Sequence, residues 1–312
     1  MNRMIVTVKR SLLLILLGVV SLVPSACTHY IDVGARDINE KLLLEKTLQT
    51  SAGAKLAVDV VAADVTVSTW NKNEVSVKIY GDENALEKVD VSVEKSGEGV
   101  LIEIEKKSFL KSLSNLGLRV EVITPESYSA GIKTSGGDVK VKDMKGSFAL
   151  KTSGGNIGMK NLAGSLDAKT SGGNIRLEKF NGSANVKTSG GNVEVKDVEG
   201  SVDAGTSGGD MDIDSKSGAI SASTSGGNIK LVYSGENQGI ECSTSGGDID
   251  VYVPASFKAD VTLKTSAGSV SCELPASNVK SGNFSFTGTV NGGGQKLICK
   301  TSGGSISVNK LQ

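Results

Sequence analysis

The stretch KTSGGNIGMKNLAGSLDAKTSGG (Lys151–Gly173) begins and ends on the same five residues. KTSGG also starts at Lys133, Lys187 and Lys300, TSGG returns at Thr206, Thr224 and Thr244, and TSAG stands at Thr265. From Thr134 onward the threonine-to-threonine steps are 18, 18, 18, 18, 18, 20, 21 and 36 residues. A short fixed period marks a repeat architecture, in which each unit buries its apolar face only against its neighbours. The last step is twice eighteen, so one turn lacking the signature is expected there.

Inside the quoted stretch apolar residues alternate with polar ones: Ile157 and Met159 after the glycine pair, Leu166 and Ala168 before the next threonine. The neighbouring blocks repeat this as Val139/Val141 with Phe148/Leu150, and Ile175/Leu177 with Ala184/Val186. Alternation at period two buries one face of a strand. Gly-Gly and Gly-Ser between the runs supply the backbone freedom of a turn. A third bend is expected at Lys142-Asp143, Lys160-Asn161 and Lys196-Asp197. Each block then returns beneath its own start, about 4.8 Å per turn. The prediction is an all-β right-handed parallel β-helix (a β-solenoid) with 18-residue turns, handed as parallel crossovers almost always are. Two or three strands per turn both fit the pattern.

Parity assigns the rest of the signature. Thr152 lies two residues beyond Leu150 and so points inward, while Lys151 and Ser153 point outward. The threonines should form an internal ladder whose hydroxyls bond turn backbone or one another. The residue after each glycine pair is Asp138, Asn156, Asn174, Asn192, Asp210, Asn228, Asp248 or Ser305, and Ser269 follows TSAG. These side chains are expected to cap turn amides locally. The same parity puts Cys242 and Cys299 in the column of Leu150 and Val186, and Cys272 in that of Val141. Stacked in chain order, Cys242 and Cys299 would lie three turns apart, about 14 Å, beyond disulfide reach.

The 312 residues carry a formal charge of zero, which gives no basic excess for nucleic acid. With 39 glycines and only 4 prolines, the chain suits many short strands joined by tight turns. Its start is different. Arg3, Lys9 and Arg10 precede the apolar run Ser11–Val23, and PSAC ends at Cys27. A basic start, a short apolar run and small residues predict a secretory signal over 1–26; the run is too short for a membrane span. The cysteine after Ser25-Ala26 resembles a bacterial lipobox, with Pro24 where leucine is usual. Lipidation of Cys27 and attachment to the membrane through that lipid are the expectation, with 27–43 as a tether. Residues 44–130 then form an N-terminal strand and capping part, and 131–312 the regular repeats. The single Trp70 is expected to plug the core, and Lys107–Leu118 to be a surface loop in preference to a short helix.

The segments VTVSTW (Val65–Trp70), LRVEVITPESYSAGIKTSGGDVKV (Leu118–Val141), the repeated TSGGNI and FTGTVNGGGQKLICKTSGGSISV (Phe286–Val308) resemble the bacterial putative-adhesin family of β-strand repeat domains, a domain of unknown function. The resemblance spans roughly 44–308 and implies a β-helix in the bacterial envelope. It implies no catalytic residues, because the family has no catalytic motif to match.

The residues themselves also argue against catalysis. The one histidine is His29, on the tether, and the glycines are not followed by the lysine of a phosphate loop. No catalytic residue, metal site or cofactor is assigned. One surface feature stands out: Lys133, Lys151, Lys169 and Lys187 should stack in one outward column, either a solvated face or a stripe for an anionic polymer. The expected function is a non-catalytic, lipid-anchored module of the cell envelope or cell surface, an adhesin or binder of envelope or extracellular polysaccharide or protein. The alternative is a structural, assembly-forming scaffold without a specific ligand.

Overall fold

The computed structural model describes residues 40–311 apart from 83 and 108–116. Cys27, the signal segment and most of the Lys107–Leu118 stretch lie outside the described residues. The described strands form a single 24-stranded sheet. Its regular part follows from the repeat. Strands Val139–Lys151, Ile157–Lys169 and Ile175–Lys187 each run 13 residues and pair in parallel, eighteen residues out of step. Ile157 meets Ile175, Leu162 meets Phe180, and Ala168 meets Val186, so like lies on like. Further on each repeat is split at its Gly-Ser corner, as in Val193–Glu199 and Val202–Gly205. We call each repeat a layer.

The expected third bend is present. Asp143, Asn161, Lys179 and Asp197 sit there at φ of 62°, 54°, 54° and 56°, a left-handed conformation that Asn and Asp tolerate best. This bend has a consequence that strict alternation hides. The left-handed residue uses one position without crossing the sheet, so the next one points inward. Met144, Leu162, Phe180 and Val198 are accordingly buried, a further internal column that strict alternation does not predict.

Stacking departs from chain order at both ends. Strands Lys55–Val60 and Ala63–Trp70 lie between the layer of Gly99–Lys106 and Leu118–Pro125 and the layer of Ser129–Thr134 and Val139–Lys151. At the other end Lys296–Lys300 lies between Ile240–Ser243 and Ala259–Lys264. Ile306–Lys310 lies likewise between Ile249–Val253 and Val270–Cys272. Each end therefore has an outermost layer with a second layer slipped in beneath it. The 36-residue step is not a turn without its signature. The chain spends it on the antiparallel hairpin Ala276–Gly282/Ser285–Val290 and then returns to the inner position. Cys242 and Cys299 are consequently direct register partners, not three turns apart.

Antiparallel strands cover edges of the outermost layers. Val89–Ser96 pairs with Gly99–Lys106, Glu74–Gly81 with Leu118–Pro125, and Ser285–Val290 with Ala259–Lys264. An uncovered layer edge would offer a row of free N–H and C=O groups to another chain. Trp70 is half-buried and does not plug the core: its indole N–H donates to the Glu74 carbonyl at 2.8 Å, with the Lys72 ammonium 4.5 Å above the ring.

Candidate binding face

Each KTSGG corner is held from inside by its threonine. Thr152 Oγ1 donates to the Gly137 carbonyl of the layer below at 2.9 Å, and Thr170 and Thr188 repeat the bond to Gly155 and Gly173 at 2.8 Å. Each hydroxyl also accepts from the second glycine of its own corner, as Gly173 N–H does with Thr170 at 3.3 Å. These threonines are buried, so the expected inward ladder is present. The residues after the glycines do something other than local capping. The Asn156 N–H donates to Asp138 Oδ1 at 2.8 Å, Asn174 N–H to Asn156 Oδ1 at 2.9 Å, and Asn192 N–H to Asn174 Oδ1 at 2.8 Å. The ladder links successive layers, and it begins one layer earlier than the repeats, where Asp64 accepts from the Asp138 N–H.

The two glycines differ in kind. A Cβ on the second one, Gly173, would sit 1.9 Å from the Gly155 carbonyl oxygen. A Cβ on the first, Gly172, would meet nothing nearer than 3.7 Å. The first glycine needs neither space nor a left-handed φ, and Ala267 occupies its place in TSAG. The outer strip of the corner is thus bare of side chains without packing requiring it.

The lysine column runs parallel to this strip, with the exposed serines Ser153, Ser171 and Ser189 between the two. Lys133 pairs with Lys151, Lys151 with Lys169, and Lys169 with Lys187, all outward. Beyond Lys187 the column continues through Gly205, Ser223 and Ser243 and ends on Lys300 and Lys264. Both stand directly before a signature threonine, Thr301 and Thr265, as the other lysines do, and the inserted C-terminal layer places Lys300 ahead of Lys264 in the stack. Three lysines have carboxylate partners: Asp59 for Lys133 at 3.0 Å, Asp167 for Lys169 at 2.9 Å, and Asp203 for Lys187 at 2.8 Å. Lys151 has no ion pair among the described residues. Asp138 is not among these partners and serves the amide ladder. All three pairs are solvent-exposed, and such pairs contribute at most about 1 kcal/mol. An incoming anion can replace them.

The opposite corner carries a groove of about 430 Å³ lined by, among others, Asp143, Lys145, Asn161, Lys179 and Asp197. Several of its polar groups are already paired: Lys145 binds Glu126 at 2.8 Å, Asn161 donates to Asp143 at 2.8 Å, and Lys216 binds Asp197. The hydrogen bond from Lys216 holds the Asp197 carboxyl below its usual value. On the intervening face Arg176 bridges Glu178 and Glu194. Burial pushes the Glu178 carboxyl up, but the hydrogen bond and charge of Arg176, with Lys160 beside it, bring it below the ordinary range. Among the described residues no cluster of His, Cys, Asp and Glu could hold a metal ion, and no helix is long and apolar enough to cross a membrane.

A family model described as Toastrack DUF4097 matches residues 54–309. Among solved structures, the chain is similar to a putative adhesin from Bacteroides fragilis NCTC 9343 at 14% identity, covering 87% of this chain and 97% of that one with a TM-score of 0.33. It is also similar to a putative lipid binding protein from Parabacteroides distasonis ATCC 8503, at 17% identity, 88% and 98% coverage and a TM-score of 0.38. A putative cell adhesion protein from Clostridium sporogenes ATCC 15579 gives 15%, 87%, 100% and 0.20. No curated protein matches the chain.

Proposed function

The chain belongs to the Toastrack DUF4097 family, and from that premise we propose that it is a non-catalytic, exported module of the bacterial envelope that binds an anionic polymer along its KTSGG corner. In this reading the layers are coils of a right-handed parallel β-helix, and Cys27 is the lipid-bearing N-terminus that ties it to a membrane.

The observation that carries the reading is the in-register column Lys133–Lys151–Lys169–Lys187, flanked by a line of exposed serines and, beyond it, by a line of glycines without side chains. Cations repeating at strand spacing suit a ligand whose negative charges also repeat, and a bare strip lets its backbone lie close. Like charges stacked at about 4.8 Å repel one another, and a polyanion relieves that repulsion. Binding by repeated weak contacts needs no deep pocket. Antiparallel strands on Gly99–Lys106, Leu118–Pro125 and Ala259–Lys264 block parallel layer-on-layer growth along those edges, which favours this reading over an assembly-forming scaffold.

The experiment replaces all four lysines with serine and compares binding to an anionic and a neutral envelope polysaccharide. The wild type should retain only the anionic polymer, less so at high salt, and the variant neither. Equal retention of the anionic polymer by both proteins would refute the assignment.

A further inference from the structure

We propose that Cys242 and Cys299 are a disulfide site, whose closure fastens the inserted C-terminal layer to the body of the stack. The two residues are register partners on adjacent parallel strands, and both are fully buried on the same inward face. Neighbouring parallel strands lie about 4.8 Å apart, inside the Cα separation of about 4.4–6.8 Å that a disulfide spans. Both are free thiols in this structure. Their other neighbours in the column are Ala222 and Leu263, which offer the sulfurs no competing chemistry. Cys272 belongs to a different column, opposite Val308, and has no cysteine partner there.

The position matters because chain order is broken at this junction. The strand of Cys299 lies against Ile240–Ser243 although the whole outermost layer and its hairpin intervene in the sequence. No short connection holds it there. A bond between the two sulfurs would enclose that intervening segment in one covalent loop and restrict the unfolded chain.

The chemistry is thiol–disulfide exchange with a small-molecule or protein disulfide as oxidant. One cysteine thiolate attacks a sulfur of the oxidant and releases its first thiol. The second cysteine thiolate attacks the mixed disulfide, forms the Cys242–Cys299 bond and releases the second thiol. The oxidant gains two electrons and two protons; the cysteines lose the same. In the closed stack the hydrogen bond with Cys242 and burial hold the Cys299 thiol well above its ordinary value, so exchange belongs to the stage when the last layer docks.

The test starts from reduced, denatured full-length protein diluted into buffer containing glutathione disulfide. The product is denatured again, alkylated with N-ethylmaleimide, and digested for mass spectrometry. A peptide pair linking Cys242 to Cys299, with Cys272 alkylated, is expected. Alkylation of both Cys242 and Cys299 would overturn the proposal. A second arm covers poor refolding: protein exported to an oxidising periplasm is melted with and without reductant. Reduction should lower the midpoint by on the order of 10 °C. C272S should respond identically, whereas C242S/C299S should be insensitive to reductant. A wild type indifferent to reductant would count equally against the site.

Discussion

The glycine pair offers the sharpest perturbation, because two adjacent alanine substitutions should act in opposite directions. In Gly173→Ala the new Cβ would stand 1.9 Å from the Gly155 carbonyl oxygen. An ordinary contact there is roughly 3.2 Å, so two layers must part by more than 1 Å in a close-packed corner. The parting strains the Thr170 hydroxyl, which bonds the Gly155 carbonyl at 2.8 Å and accepts the Gly173 N–H at 3.3 Å. It also strains the Thr188 bond to the Gly173 carbonyl. Overpacking of about 1–3 kcal/mol and partial loss of bonds worth about 1 kcal/mol each give roughly 3–5 kcal/mol. For a chain of this size that corresponds to about 10 °C in melting temperature. Gly172→Ala meets no obstacle nearer than 3.7 Å and needs no left-handed φ. Restricting the unfolded chain should leave it neutral or stabilised by about 0.5 kcal/mol. Thermal melts followed by circular dichroism compare the two. Equal losses, or a larger loss for Gly172→Ala, would refute the account of the corner.

Other consequences are as direct. Val186→Asp puts a charge into a fully buried column between Ala168 and Ala204 and should cost on the order of 4 kcal/mol, whereas Lys187→Ser, facing solvent, should melt within about 0.5 kcal/mol of wild type; comparable losses in denaturant titration would contradict the assigned faces. Glu178, whose carboxyl is held below its ordinary value in the folded chain, contributes stability that is present above the unfolded carboxylate value near pH 4.3 and is lost as pH falls through the folded one. Glu178→Gln should therefore narrow the gap in stability between pH 7 and acid, and an unchanged gap would remove Glu178 from the acid response. Cys27→Ser should release the protein from the membrane fraction and abolish the mass added by acylation; membrane retention without any change in lipid mass would argue against lipidation.

Much of the regular fold was legible because one rule generates it. Threonine-to-threonine spacing gives the register, and period-two alternation gives the buried faces, the inward hydroxyl ladder and the stacked lysines. What escaped has identifiable physical causes. The column of Met144, Leu162, Phe180 and Val198 is hidden because a left-handed residue resets the parity before it. The amide ladder from Asp64 to Asn192 runs between layers, where side chains eighteen or more residues apart meet, and local turn rules do not reach that far. Layer order at the two ends depends on which sheet edge is open when a strand docks, and no local residue pattern records this. For that reason chain order sets Cys242 and Cys299 apart although they are register partners. Trp70 misled for a different reason: its N–H needs an acceptor, and the turn carbonyl of Glu74 provides one at the surface.

The claim that the lysine column reads a repeating polyanion is tested most directly by ligand length. The four lysines span three strand steps, about 14 Å. Affinity of the intact protein for a graded series of acidic oligosaccharides, measured by titration calorimetry at fixed low salt, should rise with each added anionic residue until the ligand covers that span. It should then level off, and the rise should disappear in the quadruple serine variant. Affinity that is independent of length, or a length dependence the variant keeps, would contradict the account.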